Sequence, residues 1–308
     1  MYICGQHLLQ SDMNFKKEDI IFIINPNSGR RKPDGLIKKI KKIDNAFNIY
    51  ISKDLDDFNN FITKNINKYK VFVIAGGDGT INETSKHLFA RKDKALAIIP
   101  LGSGNGFARE MGFQIKLEEL VEAILKGDTF DCDVIEINNS KFINVAGIGF
   151  DACVAHIFDK RKKRGLLNYI FATIECLTKF KNFKATLQFE DKEINKKFSM
   201  ITFANTRQFG NNAYIAPKAI PHDGKLDIVM IEPLPIHHYP RLIYNMFRGK
   251  IKDSKYIKHK QISNELVLNT DFKQFHLDGE PMIFNGNSKI KVHKKSLRLV
   301  KTEKLKFK

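Results

Sequence analysis

Three short stretches of this sequence combine glycines with hydroxyl and carboxyl side chains in a way suited to holding phosphate: NPNSG (25–29), GGDGT (76–80) and LGSGNG (101–106). Glycine lets a backbone approach an anion closely and present its N–H groups, and a helix starting just beyond adds a favourable dipole. One such stretch is a weak signal, but three, each following an apolar run, point to a nucleotide phosphate site. Asp78 is the odd residue among them. A carboxylate inside a phosphate cradle repels the ligand unless it acts on a metal ion or a proton; the plain alternative is a hydrogen bond to a loop N–H. Thr80 and Glu83 have a structural reading too, because Thr-x-x-Glu forms a capping box at a helix start. Far along the chain, Asp278-Gly279-Glu280-Pro281 reads on its own as a turn.

The elements that must position these residues follow from hydrophobic pattern. IIFIIN (20–25) reads as a buried strand that NPNSG breaks, and residues 33–43 carry Leu36, Ile37, Ile40 and Ile43 as a helical stripe with lysines opposite. FNIYIS (47–52) is a second strand, with Asp54 capping the next helix; VFVIA (71–75) and LAIIP (96–100) follow, with a helix from Thr80 between them. This alternation predicts a doubly wound, mostly parallel sheet, whose ligands sit beyond the carboxyl ends of the strands. After Phe130 strand-like segments dominate, with helices only over 151–162 and 166–180 and a weaker one over 236–247. The expected architecture is an α/β domain (18–132), a mainly antiparallel β domain (133–293), a nucleotide cleft between them, and a tail (294–308) packing back on the first.

Composition narrows the partners. The 308 residues are 43% hydrophobic, with a net charge of +18 that calls for an anionic partner: nucleic acid, acidic membrane or phosphorylated small molecule. No recognised nucleic-acid motif accompanies the charge. Cys4, Cys132, Cys153 and Cys176 lack metal spacing and read as free thiols in a reducing compartment. Neither a signal peptide nor an apolar run of roughly 18 residues is present, so the expectation is a soluble, cytoplasmic protein. GxxxxGK[ST] is absent. GIGFDA (147–152) fits GxGxxA, yet no acid follows about twenty residues on to hold a dinucleotide ribose.

GGDGTINE resembles the signature of the diacylglycerol kinase catalytic-domain family, which includes bacterial lipid kinases, sphingosine kinases and ceramide kinases. NPNSG, PLGSGNGFAR (100–109), GIGFDA, FAN with IAPKAIPHDGKLD (215–227) and HLDGE (276–280) resemble its other blocks, in the same order. The resemblance implies ATP held by Asn25, Pro26, Asn27, Ser28 and Gly29 in the first loop. It implies Gly76, Gly77, Asp78, Gly79, Thr80, Ile81, Asn82 and Glu83 in the second, and Gly102, Ser103 and Asn105 in the third, with Ser52 in addition. Phosphoryl transfer needs positioning and charge neutralisation, and Mg²⁺ takes oxygen ligands while keeping water. By resemblance to bacterial lipid kinases, Glu280 takes the proton of the acceptor alcohol while Asp78 organises Mg²⁺ and phosphates; sphingosine kinases favour the residue matching Asp78 as base.

The resemblance further implies a structural Mg²⁺ site at Asp223 with the carbonyls of Ile220 and Lys225, where an Asp-Gly turn is the plain reading. Asp151 and Asp159, beside the helix expected near the cleft, are either lipid head-group contacts or cap and surface acids. The helix over 166–180, apolar around much of its circumference, is core or the wall of a lipid groove. The basic runs at 38–42 and 160–164 and the tail are solvated faces that, near an anionic bilayer, gain about 1 kcal/mol of attraction per lysine. The reading is therefore an ATP- and Mg²⁺-dependent lipid kinase, peripheral to an anionic membrane, with diacylglycerol as default acceptor; a homodimer stays open. The GSGN form of the third block favours a sphingosine- or ceramide-type acceptor as the alternative. NAD kinase, which shares GGDGT, is a more remote one.

Overall fold

β1 (Ile20–Ile24) is five apolar residues in a row, all buried, as a strand covered on both faces requires. The computed structural model that shows this describes residues 15–29, 33–161, 166–190 and 192–307. Cys4, the N-terminal leader reading and Lys162–Arg164 of the second basic run lie outside the described residues. In α1 (Pro33–Ile43) Ile40 is buried while Lys38, Lys39, Lys41 and Lys42 face solvent. β2 (Asn48–Ile51) leads to α2 (Leu55–Asn65), where the Asp57 N–H donates to the Asp54 carboxylate at 2.8 Å, the expected cap. Then come β3 (Val71–Gly76), α3 (Asp78–Leu88), β4 (Ala95–Pro100), α4 (Gly106–Glu110) and α5 (Leu117–Lys126). The strands pair in parallel in the order β2-β1-β3-β4, so the three glycine loops emerge at one edge.

β5 (Thr129–Ile137), β6 (Ser140–Phe142) and β7 (Val145–Gly149) precede the helices α6 (Phe150–Asp159) and α7 (Leu166–Lys179). Next are β8 (Phe183–Phe189), β9 (Lys192–Phe198), β10 (Met200–Ala204), β11 (Leu226–Ile231) and α8 (Tyr239–Phe247). β12 (Ile257–Ile262), β13 (Glu265–Asn269), β14 (Gln274–Leu277), β15 (Glu280–Ile283) and β16 (Ser288–Val300) finish the fold. One antiparallel sheet runs β12-β11-β10-β7-β14-β15. Its inner face, with Ile148, Ile201, Phe203, Ile228 and Phe275, packs on Leu187, Leu266, Leu268 and Ile290 of a second antiparallel layer. An α/β domain and an antiparallel sandwich result, as the pattern predicts.

β16 joins the two. Along one edge it pairs with β5; along the other its first half pairs with β13 and its second half meets β4 at Leu299–Leu96. A register shift between His293 and Leu297 turns the strand from one neighbour to the other. Beyond it, the Thr302 hydroxyl donates to the Gly112 carbonyl at 3.0 Å and Phe307 packs on the α/β core.

Candidate active site

The glycine loops pack against one another because nothing larger fits. A Cβ on Gly102 would lie 2.9 Å from the Gly77 Cα, and one on Gly29, at φ +78°, would lie 2.3 Å from the Leu101 carbonyl oxygen. The Leu101 N–H donates to the Gly76 carbonyl at 2.9 Å and the Asn25 N–H to that of Ala75 at 3.0 Å, tying each loop to β3. Asn25 organises the first loop: its Oδ1 accepts from the Asn27 N–H at 3.0 Å and its Nδ2 donates to the Thr80 hydroxyl at 2.9 Å. Ser52 is buried beside it, its N–H on the Ile24 carbonyl at 3.1 Å.

The capping box does not form. α3 starts at Asp78 rather than Thr80, with Gly77 at its N-cap, and Thr80 spends its hydroxyl on Asn25. Glu83 pairs instead with Lys86 at 2.7 Å. Ile81 is wholly buried in the α/β core, so only its main chain is available to a ligand. Ser103 is exposed at the rim of the third loop, and Asn105, in the left-handed region at φ 48°, donates from its Nδ2 to the Gly102 carbonyl at 2.7 Å.

Asp78 turns its carboxyl under the third loop, where a Cβ on Gly104 would lie 3.1 Å from its Oδ2. Burial pushes this carboxyl above its ordinary value, against the opposing pull of the Asn105, Gly106 and Phe107 N–H groups and the Arg109 charge. Its Oδ1 is buried without a hydrogen-bond partner, as are Oδ1 of Asn82 and Oδ1 of Asn105. Each of these orphaned oxygens is a hard donor of the kind Mg²⁺ takes. Among the described residues no three His, Cys, Asp or Glu side chains converge, so such an ion would keep water and substrate phosphate as ligands.

Across the cleft, Asp278 (φ 51°) and Gly279 (φ 88°) form the two-residue turn between β14 and β15, both left-handed, as an Asp-Gly hairpin demands. Glu280 opens β15, exposed, and its Oε1 lies only 2.5 Å from where a Cβ on Gly79 would stand. The first turn of α3 thus carries Asp78 and the seat of Glu280 together. A cavity of about 270 Å³ beside them is lined by Asn82, Lys86, Lys141, Glu280 and Met282.

Asp278 is the residue that pattern reading passes over. Its carboxylate accepts the N–H groups of Ile143 (3.1 Å), Asn144 (2.9 Å) and Val145 (3.0 Å) together with the Asn82 side-chain amide. Asn82, expected at the nucleotide, also bolts α3 to the hairpin through its side-chain amide. Burial pushes Asp278 up to about 6, against those four donors.

Asp151 and Asp159 do not lie together: they occupy the first turn and the last residue of α6, and Asp159 is exposed. Asp151 is buried, accepting the Ala152 N–H at 2.8 Å and the Thr202 hydroxyl at 3.0 Å, with His276 Nε2 at 3.3 Å. Asp223 sits in the turn of Ile220 and Lys225, its Oδ1 accepting the Lys225 N–H at 2.9 Å. Beside it stands Asp133, absent from the sequence-based set although a charge within a buried strand is a visible signal. It accepts the N–H groups of Gly224 (2.7 Å) and Lys295 (2.6 Å), and burial, with the Asp223 charge, raises its carboxyl.

A glycine-lined sheet edge and a carboxylate hairpin thus meet at the first turn of α3, and comparison with known proteins gives the family. Residues 19–137 match the diacylglycerol kinase catalytic domain, and residues 144–300 match the YegS C-terminal NAD kinase beta sandwich-like domain. The chain belongs to this family of diacylglycerol kinase and YegS-like lipid kinases, phosphotransferases with an alcohol acceptor. A YegS-like lipid kinase of Shewanella frigidimarina is 27% identical over 245 residues, 77% of this chain and 78% of that one. A diacylglycerol kinase of Bacillus subtilis is 25% identical over 221 residues, 70% and 72% of the two chains. The crystal structure of a diacylglycerol kinase from Bacillus anthracis superposes with a TM-score of 0.73 at 18% identity, covering 94% of this chain and 99% of that one.

Proposed function

We propose that the protein transfers the γ-phosphoryl group of ATP, with Mg²⁺, to a hydroxyl of a membrane lipid, diacylglycerol giving phosphatidic acid as the default. Residues 18–132 hold the nucleotide and residues 133–293 the lipid. The observation that carries this is the Glu280 carboxylate resting on the first turn of α3, one residue from Asp78. Glu280 is exposed and able to meet an acceptor; Asp78 is committed beneath the third loop. That division supports Glu280 as the base that removes the hydroxyl proton, and Asp78, with Asn82 and Asn105, as holders of the ion. Mg²⁺ there would neutralise phosphate charge as the terminal bridge oxygen leaves with ADP. Asp223, with the Ile220 and Lys225 carbonyls, is a second, structural cation site away from the transfer.

Among the described residues no helix is long and apolar enough to cross a membrane, which suits peripheral contact from the cytoplasmic side. The GSGN third block supports sphingosine or ceramide as the second acceptor class. Purified protein with Mg²⁺, labelled ATP and mixed micelles of diacylglycerol, monoacylglycerol, sphingosine or ceramide, with NAD as control, tests the assignment. One labelled lipid is the expected result; labelled NADP and no labelled lipid would overturn it.

Gly79 provides a sharper check. An alanine methyl there collides only with the far end of the Glu280 side chain, while alanine suits a helix better than glycine by roughly 0.5–1 kcal/mol. Gly79→Ala is therefore expected to melt at the same temperature or higher, yet to turn over at least about tenfold more slowly as the base is displaced. Unchanged turnover would remove Glu280 from the reacting geometry.

A further inference from the structure

α8 and the turn before it lay large apolar side chains outward: Ile236 is 69% exposed, Tyr244 61%, Phe247 48% and Ile243 36%. The opposite face supplies Leu242 and Met246, which pack on Val229 and Ile231 of the antiparallel sheet. From Pro233 to Lys252 the sequence holds Arg241, Arg248, Lys250 and Lys252 and no acid, and all four cations are exposed. α7 repeats the arrangement: Ala172 and Cys176 face in, while Ile170, Phe171 and Ile174 are 45–56% exposed. The two helices converge on Phe150, whose ring lies 5.8 Å from that of Phe180 beyond α7 and 5.4 Å from that of Tyr239 opening α8.

α8 is also linked to the third glycine loop through one intervening loop. The Tyr214 N–H donates to the Met246 carbonyl of α8 at 3.1 Å, and three residues earlier in the same loop the Asn211 N–H donates to the Gly104 carbonyl at 3.4 Å. Gly104 is the residue under which the Asp78 carboxyl lies.

We infer that the outward face of α8, extended by that of α7, is a docking surface for an anionic lipid bilayer. An occupant must accept aromatic and branched apolar groups and, at the same level, neutralise cations unrelieved by any acid in the segment. A bilayer with acidic head groups over an apolar interior does both. Nucleic acid would meet the cations and leave the apolar groups in water. A second copy of the chain, meeting α8 on α8, would press like charges together. Nine residues are too few to span a membrane, so α8 lies in the interface. The inference rests on the lipid-kinase reading only for its purpose, which is to bring the cleft to an acceptor embedded in the bilayer.

The test uses the full chain and two double variants, Y244S/F247S and R241Q/R248Q, all outside the cleft. Flotation with neutral phosphatidylcholine vesicles, and with vesicles about one third phosphatidylglycerol, at low and high salt measures docking. Wild type is expected to bind the anionic vesicles, at least about tenfold more weakly on neutral vesicles or in high salt, with each variant weakened by about tenfold or more. Phosphorylation of vesicle-embedded diacylglycerol should fall with binding, while that of a short-chain, water-dispersed diacylglycerol stays at the wild-type rate. Retention of the short-chain rate also shows that the variants are folded.

Vesicle binding by both variants equal to wild type would overturn the inference. So would a dimer, seen by sedimentation, that the variants abolish without any change in vesicle binding. If neither acceptor is phosphorylated but the variants still lose vesicle binding, the docking surface stands and the lipid-kinase reading falls.

Discussion

Glu280→Gln is expected to lower kcat about 10³-fold while leaving the thermal midpoint and the affinity for ATP near those of the wild type. A positioned general base contributes typically about 10²–10⁴-fold, and the amide keeps the shape of the side chain while losing the proton acceptor. Glu280 is exposed at the start of β15, so the substitution leaves the packed core unchanged. The measurement is a steady-state rate against acceptor concentration beside a nucleotide-binding titration. Should Glu280→Gln retain wild-type kcat, the base moves to Asp78, and Asp78→Asn then becomes the variant that must fail. On the present assignment Asp78→Asn instead raises the Mg²⁺ requirement, because it replaces one carboxylate oxygen of the donor set.

Asp278→Ala is expected to lose about 3 kcal/mol or more of stability, and activity with it. The substitution strips the acceptor from three backbone N–H groups and from Asn82, and each buried donor left unsatisfied costs roughly 1–3 kcal/mol. Asp278→Asn separates packing from charge. In the folded protein Asp278 titrates at about 6, against 3.8 in its ordinary state, so folding favours its protonated form. Its contribution is fully present below about pH 4 and is lost as pH rises through 6, a change of about 3 kcal/mol. Urea midpoints measured between pH 4 and 7 should therefore fall more steeply for the wild type than for Asp278→Asn. Asp227, also pushed up to about 6 by burial, gives a slope of the same sign to both proteins, so the difference between them isolates Asp278. Parallel curves would place the Asp278 charge elsewhere in the energetics.

How far the sequence discloses this site depends on how local each cause is. β1 and β3 are legible because a run such as IIFII or VFVIAG can only be buried on both faces. The glycine loops are legible because chain reversal and close approach leave few residue types able to serve. Thr80 reads locally as a cap because its partner, Asn25, lies 55 positions away, and no local pattern separates a capping hydroxyl from one bound to a distant amide. Asp278 reads as a turn former, which it is; that its side chain also secures β7 and α3 depends on pairings absent from its own neighbourhood. The final strand is legible as a candidate among its lysines, but its extent is not. Ile290, Val292, Leu297 and Leu299 are buried among them, with the alternation broken by the shift after His293.

That strand has a consequence for the order in which the molecule can be made. β16 follows every other strand along the chain, yet it supplies β4 with its outer neighbour and fills the gap between β5 and β13. As the chain leaves the ribosome, the α/β half must therefore wait with an unpaired edge at β4 while about two hundred further residues are synthesised, from Pro100 to Ser288. Waiting edges recruit other chains. The nascent protein is thus most exposed to misassembly late in synthesis, and a stop codon before Ser288 would leave both halves open rather than removing one.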